Sequence, residues 1–506
     1  CYRFRHILFQ KYLYSSLDEV ERVHLHQAVG NALEGLYGAG EEVAAAADTA
    51  RIAVQLAWHF QEARDAEKAI HYLRQAGERA VQLEAYDEAI AHLDRGLVLL
   101  KALPDSRGER AERASDRRLW RAQQELALQL ALGMAWTGRK GYGTEVKNAY
   151  TRARQLSHQI GDTSQLCRVL GGLACYYYVR AEHQRARELG EQALSLAQQA
   201  KDPLQVMLGH WNLGFVLFCL GEYETARTHL EQVIAFYDPG QHHRSFVSLR
   251  GSDVGLSALA YAACCLWCLG YPDQALGRSR EALALAREQG HPFSLADVLC
   301  YGGCMHSGMR RDGQALKDSA EELIRLAAEN LPGWLGQAIW QRGEALALQG
   351  QVREGIAQMR EGMTIQQSRD GRCHWSGCLR SLAEAYGEAG QPGEGLATLD
   401  EALALVEETD ERHWEAEIYR LRGDLLLMQG EQTEAEASFH QAVEVARRQS
   451  ARSWELRATT SLARLWQEQG KTNEARRALS GIYDWFTEGF DTPDLQEARA
   501  LLDELT

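Results

Sequence analysis

Small and apolar positions fall along this chain with one long period. A turn residue is followed five positions on by Ala or Gly in LGEYETA, LGYPDQA, QGQVREG, AGQPGEG, QGEQTEA and QGKTNEA. Counting on that pattern sets anchors at Ala186, Ala226, Ala275, Ala315, Gly355, Gly395, Ala435 and Ala475. The steps are 40 residues, except for one of 49 between Ala226 and Ala275. Twelve positions before the anchors stand Ala174, Gly214, Ala263, Gly303, Gly343, Ala383, Gly423 and Ala463, all small. Seven positions after them come Ala193, Val233, Ala282, Glu322, Gly362, Ala402, Ala442 and Ile482, mostly small or apolar. Small residues at a fixed offset are what two crossing helices need, so each period predicts a helical hairpin. The 49-residue step contains DPGQHHRSFVSLRG, whose polar character, Pro and Gly predict an inserted loop near 238–251.

A lone hairpin cannot bury its apolar stripe, so such units stack on their neighbours. The double register resembles the tetratricopeptide repeat (TPR) in a longer form of about 40 residues. That resemblance implies an all-α fold, a right-handed TPR superhelix or α-solenoid, with the first helix of each pair lining a concave groove. The regular array is expected over 121–506. Before it, the anchors Ala69 and Ala89 are only 20 apart and mark irregular helical repeats over 41–120.

Composition agrees with helices. The 506 residues include only 8 prolines, with 45% hydrophobic and 25% charged residues. A formal charge of −15 with no long basic run argues against nucleic acid as a partner. The 11 cysteines are odd in number and lie inside helical patterns, which points to a reducing compartment and a cytoplasmic location. No apolar run reaches the roughly 18 residues of a membrane span, so no membrane partner is expected. The chain starts without Met and reads as part of something longer.

Both ends carry a further likeness. The stretch YRFRHILFQKYLYSSLDEVERVHLHQAVGNALEGLY, through Phe4, Arg5, His6, Gln10, Tyr12, Arg22, Leu25 and His26, resembles the end of the winged-helix segment of large bacterial STAND-class signalling ATPases. The final segment, from ARSWELRATTSLARLWQEQGKTNEA onward, is similar to the C-terminus of the same proteins, many of which carry a class III nucleotide cyclase or another output domain. The resemblance implies that residues 1–40 end a winged-helix-like linker. It also implies that the chain is the TPR sensor of such an ATPase, responding to a peptide, protein or small-molecule inducer, with oligomerisation possible through the ATPase part. No GxxxxGK[ST] is present, so no ATP site carries over. The alternative reading is a constitutive protein-interaction scaffold without ligand-gated switching.

The TPR register places Tyr178, Trp211, Phe215, Phe218, Trp267 and Trp340 on the groove in one half, and Arg380 and Arg420 in the other. Aromatic walls bind apolar ligands or peptide side chains, and guanidinium groups hold carboxylates or phosphates. The same residues could instead be inter-helix core, with Arg380 and Arg420 paired to Glu384 and Asp424. Cys264, Cys268, Cys300 and Cys304, with His306, offer soft ligands on adjacent first helices, yet their spacing fits no zinc signature, so no metal or cofactor is expected. No Gly-x-Ser-x-Gly or His-Glu-x-x-His occurs, His242 and His243 read as solvated, and the chain is expected not to be an enzyme.

Overall fold

The computed structural model describes residues 12, 14–37, 52–104, 111–329, 331–367 and 372–505. Among them every regular element is helical, and the chain divides into two compact units, Cys1–Val169 and Leu170–Thr506. No helix of the described residues is long and apolar enough to cross a membrane.

The first unit runs α1 Glu19–Tyr37, α2 Ala53–Glu62, α3 Ala66–Gln82, α4 Tyr86–Ala102, α5 Ala111–Lys140 and α6 Thr144–Ile160. Ala69 and Ala89 are fully buried near the starts of α3 and α4. Their 20-residue separation is therefore one helix plus its turn, half of a 40-residue hairpin. Part of the winged-helix-like segment expected at 1–40, namely residues 1–11, 13 and 38–40, lies outside the described residues.

The second unit is the array. Helix α7 (Thr163–Val179) crosses the unit boundary and pairs with α8 (His183–Ala200); α9 (Pro203–Cys219) and α10 (Tyr223–Phe236) form the second hairpin. After α11 (Pro239–Arg250) come α12 (Val254–Cys268) and α13 (Pro272–Gln289). A composite helix follows, α14 (Pro292–Val298), a π-helical turn Leu299–Met305 and α15 (His306–Met309), paired with α16 (Gly313–Glu329). The remaining pairs are α17 (Leu335–Leu348) with α18 (Val352–Gln367), α19 (Trp375–Glu388) with α20 (Pro392–Thr409), α21 (Glu415–Gln429) with α22 (Gln432–Arg448), and α23 (Arg452–Glu468) with α24 (Thr472–Tyr483), closed by α25 (Pro493–Glu504).

Each hairpin turn is made the same way. The residue five before the anchor is left-handed, at Ala181, Gly221, Gly270, Gly350, Gly390, Gly430 and Gly470. The next amide reaches back to a carbonyl in the first helix, as Glu222 N to Leu217 O and Gln351 N to Leu346 O, both 2.9 Å. This is a Schellman-type stop, which satisfies orphan carbonyls and favours Gly at the αL position. The small residues at the crossings are required by contact: a Cβ on Gly214 would stand 2.5 Å from Leu230, and one on Gly362 would stand 2.5 Å from the backbone of both Gly336 and Trp340.

Two expectations need correction. The segment near 238–251 is a helix, α11, and not a loop. Pro239 occupies its first turn, the Asp238 carboxylate accepts from Gly240 N at 2.8 Å and Gln241 N at 3.3 Å, and Gly251 ends it at φ 77°. The Pro and Gly read as loop punctuation are a helix start and stop, and Phe246 anchors the helix fully buried. Asp238→Ala is therefore expected to cost about 0.5–2 kcal/mol, read as a lower urea midpoint with unchanged slope.

The fourth anchor is Leu316 and not Ala315. Its turn residue is Arg311 at φ 60°, Asp312 N bonds Ser307 O at 2.9 Å, and Leu316 is fully buried. The extra residue is taken up by the π turn, whose loosened ladder frees carbonyls for side chains: Ser279 Oγ donates to Gly302 O at 2.7 Å and Gln341 Nε2 to Cys300 O at 3.2 Å.

Candidate functional site

Within the second unit, helices five hairpins apart touch. Arg372 N and Cys373 N, from the loop before α19, donate to Val179 O at the end of α7, at 2.9 and 3.1 Å. One hairpin on, Arg412 N and His413 N donate to Cys219 O at the end of α9, at 2.8 and 3.2 Å. One further on, Ser453 Oγ donates to Trp267 O at the end of α12. Three equivalent contacts mean that one turn of the superhelix takes five hairpins and that the next turn docks on it. The inner face becomes a shared interior.

That interior holds the residues assigned to the groove. Tyr178, Trp211, Phe215, Phe218, Trp267, Trp340, Arg380 and Arg420 are each at most 9% exposed. Tyr178 lies edge-on to Phe215 at 4.4 Å between centroids, Trp211 to Phe215 at 4.8 Å, and Phe218 packs on His413 at 5.2 Å. Trp267 meets Trp454 at 4.6 Å. Trp340 joins Met359, Cys378, Leu382 and Tyr386 in the packing between hairpins. Tyr178, Phe218 and Trp267 thus meet the following turn, at His374, His413 and Trp454.

The charged half is paired. Arg380 bonds Glu384 at 2.8 Å and Glu344, and its guanidinium lies 4.4 Å from the centre of the Trp414 ring. Arg420 bonds Glu417 at 2.7 Å and Asp424. Arg457, not singled out in the sequence, joins Glu417 at 3.2 Å to Asp494 at 2.6 Å, donates to Met309 O at 2.8 Å and stacks on Trp267 and Trp454.

Burial alone would raise the Glu417 carboxyl, but Arg420 and Arg457 outweigh it and hold it at about 2, against an ordinary 4.5. A depressed carboxyl stabilises the fold above its unfolded value and loses that stabilisation as pH falls through the folded one. Thermal midpoints should accordingly fall between about pH 4.5 and 2, by an amount worth up to about 3 kcal/mol. Glu417→Gln should show a lower midpoint at pH 7 and a flatter acid limb; equal limbs would remove Glu417 from the account.

The thiols named from the sequence stay apart as ligands. Cys264, Cys268, Cys300 and Cys304 are buried, with Cys264 Sγ 3.5 Å from Tyr301 O, but they form no metal-sized group among the described residues. His306 is buried in the same helix, and burial pushes its imidazole down to about 3. His242 and His243 are half-buried and engaged: Asp238 N donates to His242 Nδ1 at 3.0 Å, and His243 Nδ1 lies 2.7 Å from Asp253 Oδ2.

The structure gathers a different set. Cys219, His374 and His413 are buried with ligand atoms within 4.8 Å of one another. Burial pushes the His374 imidazole down to about 4 and that of His413 to about 3, and raises the Cys219 thiol. Glu411 stands beside them, accepting from His374 N at 2.6 Å and Ser376 N at 3.1 Å, with His183 Nε2 3.5 Å away. Desolvation would raise this carboxyl; the facing histidines His183, His413 and His374 keep it below the usual range.

A cleft of about 620 Å³ opens at the seam between turns, lined by Arg227, Glu231, Tyr271, Arg452 and Trp485 among others.

Residues 257–501 match the family described as the MalT-like TPR region, and residues 212–237 match a tetratricopeptide repeat. An uncharacterized protein of Rhizobium meliloti (strain 1021) is 26% identical over 375 residues, covering 72% of this chain and 33% of that protein. The chain thus spans about a third of the length of this curated relative. Among solved structures, a Rap protein complexed with Competence and Sporulation Factor is 11% identical, with a TM-score of 0.55 over 76% of this chain and 99% of that one. A STAND protein with a tetratricopeptide repeat sensor from Pyrococcus horikoshii is 12% identical, with a TM-score of 0.40 over 76% and 54% of the two chains. The Leu170–Thr506 unit is a TPR-type α-solenoid, and residues 257–501 within it are similar to the MalT-like TPR region.

Proposed function

We propose that this chain senses an inducer, a peptide, protein or small molecule, in the bacterial cytoplasm and thereby governs an ATPase and its output domain elsewhere in the same protein or in an associated one. It acts by binding and not by catalysis. The observation that carries the reading is the MalT-like region over 257–501 combined with an inner face sealed by a small set of contacts between turns. A ligand switches a protein only through unequal affinity for two states. Here the two states are the closed coil and one in which the turns part, so that Tyr178, Trp211, Phe215, Phe218, Trp267, Trp340, Arg380 and Arg420 become the contact wall. The seam cleft, at about 620 Å³, is of ligand size and gives a place of first contact.

The reading is tested by hydrogen exchange on the intact chain with and without an inducer found by thermal-shift screening. The amides of Arg372, Cys373, Arg412 and His413, which hold the turns together, should exchange faster when the inducer is bound. Their unchanged or slower exchange would rule out parting of the turns and leave the outer surface, and a constitutive scaffold, as the reading.

A further inference from the structure

Cys219 ends α9, and its carbonyl accepts the amides of Arg412 and His413. That contact brings the His413 ring back to the Cys219 thiol. The equivalent contact one hairpin earlier, on Val179, sets His374 beside them. We propose that Cys219, His374 and His413 bind a single zinc ion that fastens one turn of the superhelix to the next.

The donor set is the first reason. One thiolate and two imidazoles suit zinc and exclude magnesium and calcium, which take oxygen ligands. Geometry is the second. His374 Nδ1 and His413 Nε2 are 3.3 Å apart, long for a hydrogen bond between nitrogens. Two ligands on tetrahedral zinc, with bonds of about 2.0–2.1 Å, stand about 3.3–3.4 Å apart. The thiol, within 4.8 Å of both, needs a shift of about 1 Å to complete the same tetrahedron.

The surroundings supply the third reason. His374 Nε2 is 2.8 Å from Tyr178 Oη, which is itself 2.8 Å from Tyr261 Oη, so the ring is held with Nδ1 towards the cluster. His413 Nδ1 is buried without a hydrogen-bond partner, so that imidazole meets the cluster only through Nε2, the atom turned towards His374 Nδ1. Glu411 balances charge: the dication, one thiolate and this carboxylate sum to zero, which is what a buried site requires. On binding, the Cys219 S–H bond breaks, its proton leaves to solvent and the sulfur pair bonds the metal; the imidazoles give lone pairs without losing protons, and water can take the fourth position. The ion closes chain loops of 155 residues to His374 and 194 to His413, so the closed coil gains and the unfolded chain does not.

The test uses the full chain, stripped with a chelator and titrated separately with Zn²⁺ and Co²⁺. One equivalent of either should bind, Co²⁺ should give a thiolate-to-metal charge-transfer band, and the thermal midpoint should climb with Zn²⁺. Cys219→Ser and His413→Ala should lose the band and bind Zn²⁺ at least about 100-fold more weakly, whereas Cys265→Ser should keep both. The cobalt spectrum of the unsubstituted chain needs no variant to fold. Absence of stoichiometric metal, a cobalt spectrum without the thiolate band, or a folded Cys219→Ser chain with native affinity each overturns the site.

Discussion

Replacing Trp267 by alanine is expected to destabilise the Leu170–Thr506 unit by about 3–5 kcal/mol, the cost of deleting a large ring from a packed interior that cannot fully collapse. The ring is 2% exposed at the end of α12. It meets Trp454 edge to face at 4.6 Å, and the Arg457 guanidinium sits 5.3 Å from its centre. Both partners belong to α23, one superhelical turn later, so the loss falls on the contact between turns and not within one hairpin. Urea denaturation should show a lower midpoint, and far-ultraviolet circular dichroism should lose the exciton couplet of the paired indoles. Phe236→Ala, at a 68% exposed position on α10, is the control and should change stability by no more than about 0.5 kcal/mol. A Trp267→Ala chain with the native midpoint would mean that the aromatic face is free in solution and that a ligand reaches it without parting the turns. Because folding and binding respond to the same residue, inducer affinity in this variant is interpretable only at temperatures where it remains folded.

The hairpins were legible because a turn needs a residue at φ > 0 and a crossing needs a small one, and both requirements write themselves into single positions 40 apart. The slip at the fourth hairpin left a mark in the sequence too. Glu322 was the one charged member of a column otherwise small or apolar, and Leu323, its neighbour, is the buried residue. Moving that anchor by one restores the column and demands an extra residue in the preceding helix, where the π turn lies. Asp238-Pro239 and Gly251 likewise carried the signature of a helix start and stop and were outweighed by the polar residues between them. The closure of the coil is another matter. Which hairpins meet depends on a small rotation per repeat, summed over five, and no residue type encodes that sum. A trace remains where the first helices begin, at His374-Trp375, His413-Trp414 and Ser453-Trp454, a recurrence at positions that an exposed helix start would leave polar. The cysteines of adjacent helices stand out in the sequence, whereas Cys219 finds its imidazoles five hairpins away.

The other large effect is expected at Arg457. Its guanidinium lies between the carboxylates of Glu417 and Asp494, at 3.2 and 2.6 Å, and donates to Met309 O at 2.8 Å, so α21, α23, the start of α25 and the end of α15 all depend on it. Arg457→Ala leaves two nearly buried carboxylates facing a cavity, and breaking one side of a buried pair costs about 3–5 kcal/mol. The carboxylate left behind dominates that cost, not the lost attraction, which gives the prediction its distinguishing form. Glu417 would still have Arg420 at 2.7 Å, whereas Asp494 would retain, among the described residues, Arg311 at 3.5 Å. Asp494→Asn should therefore recover more of the loss in the Arg457→Ala background than Glu417→Gln does. Double-mutant cycles from urea midpoints measure both couplings directly. Equal recovery by the two changes would place the cost in the aromatic stack over Trp267 and Trp454, making the guanidinium a packing plate between turns before it is a charge.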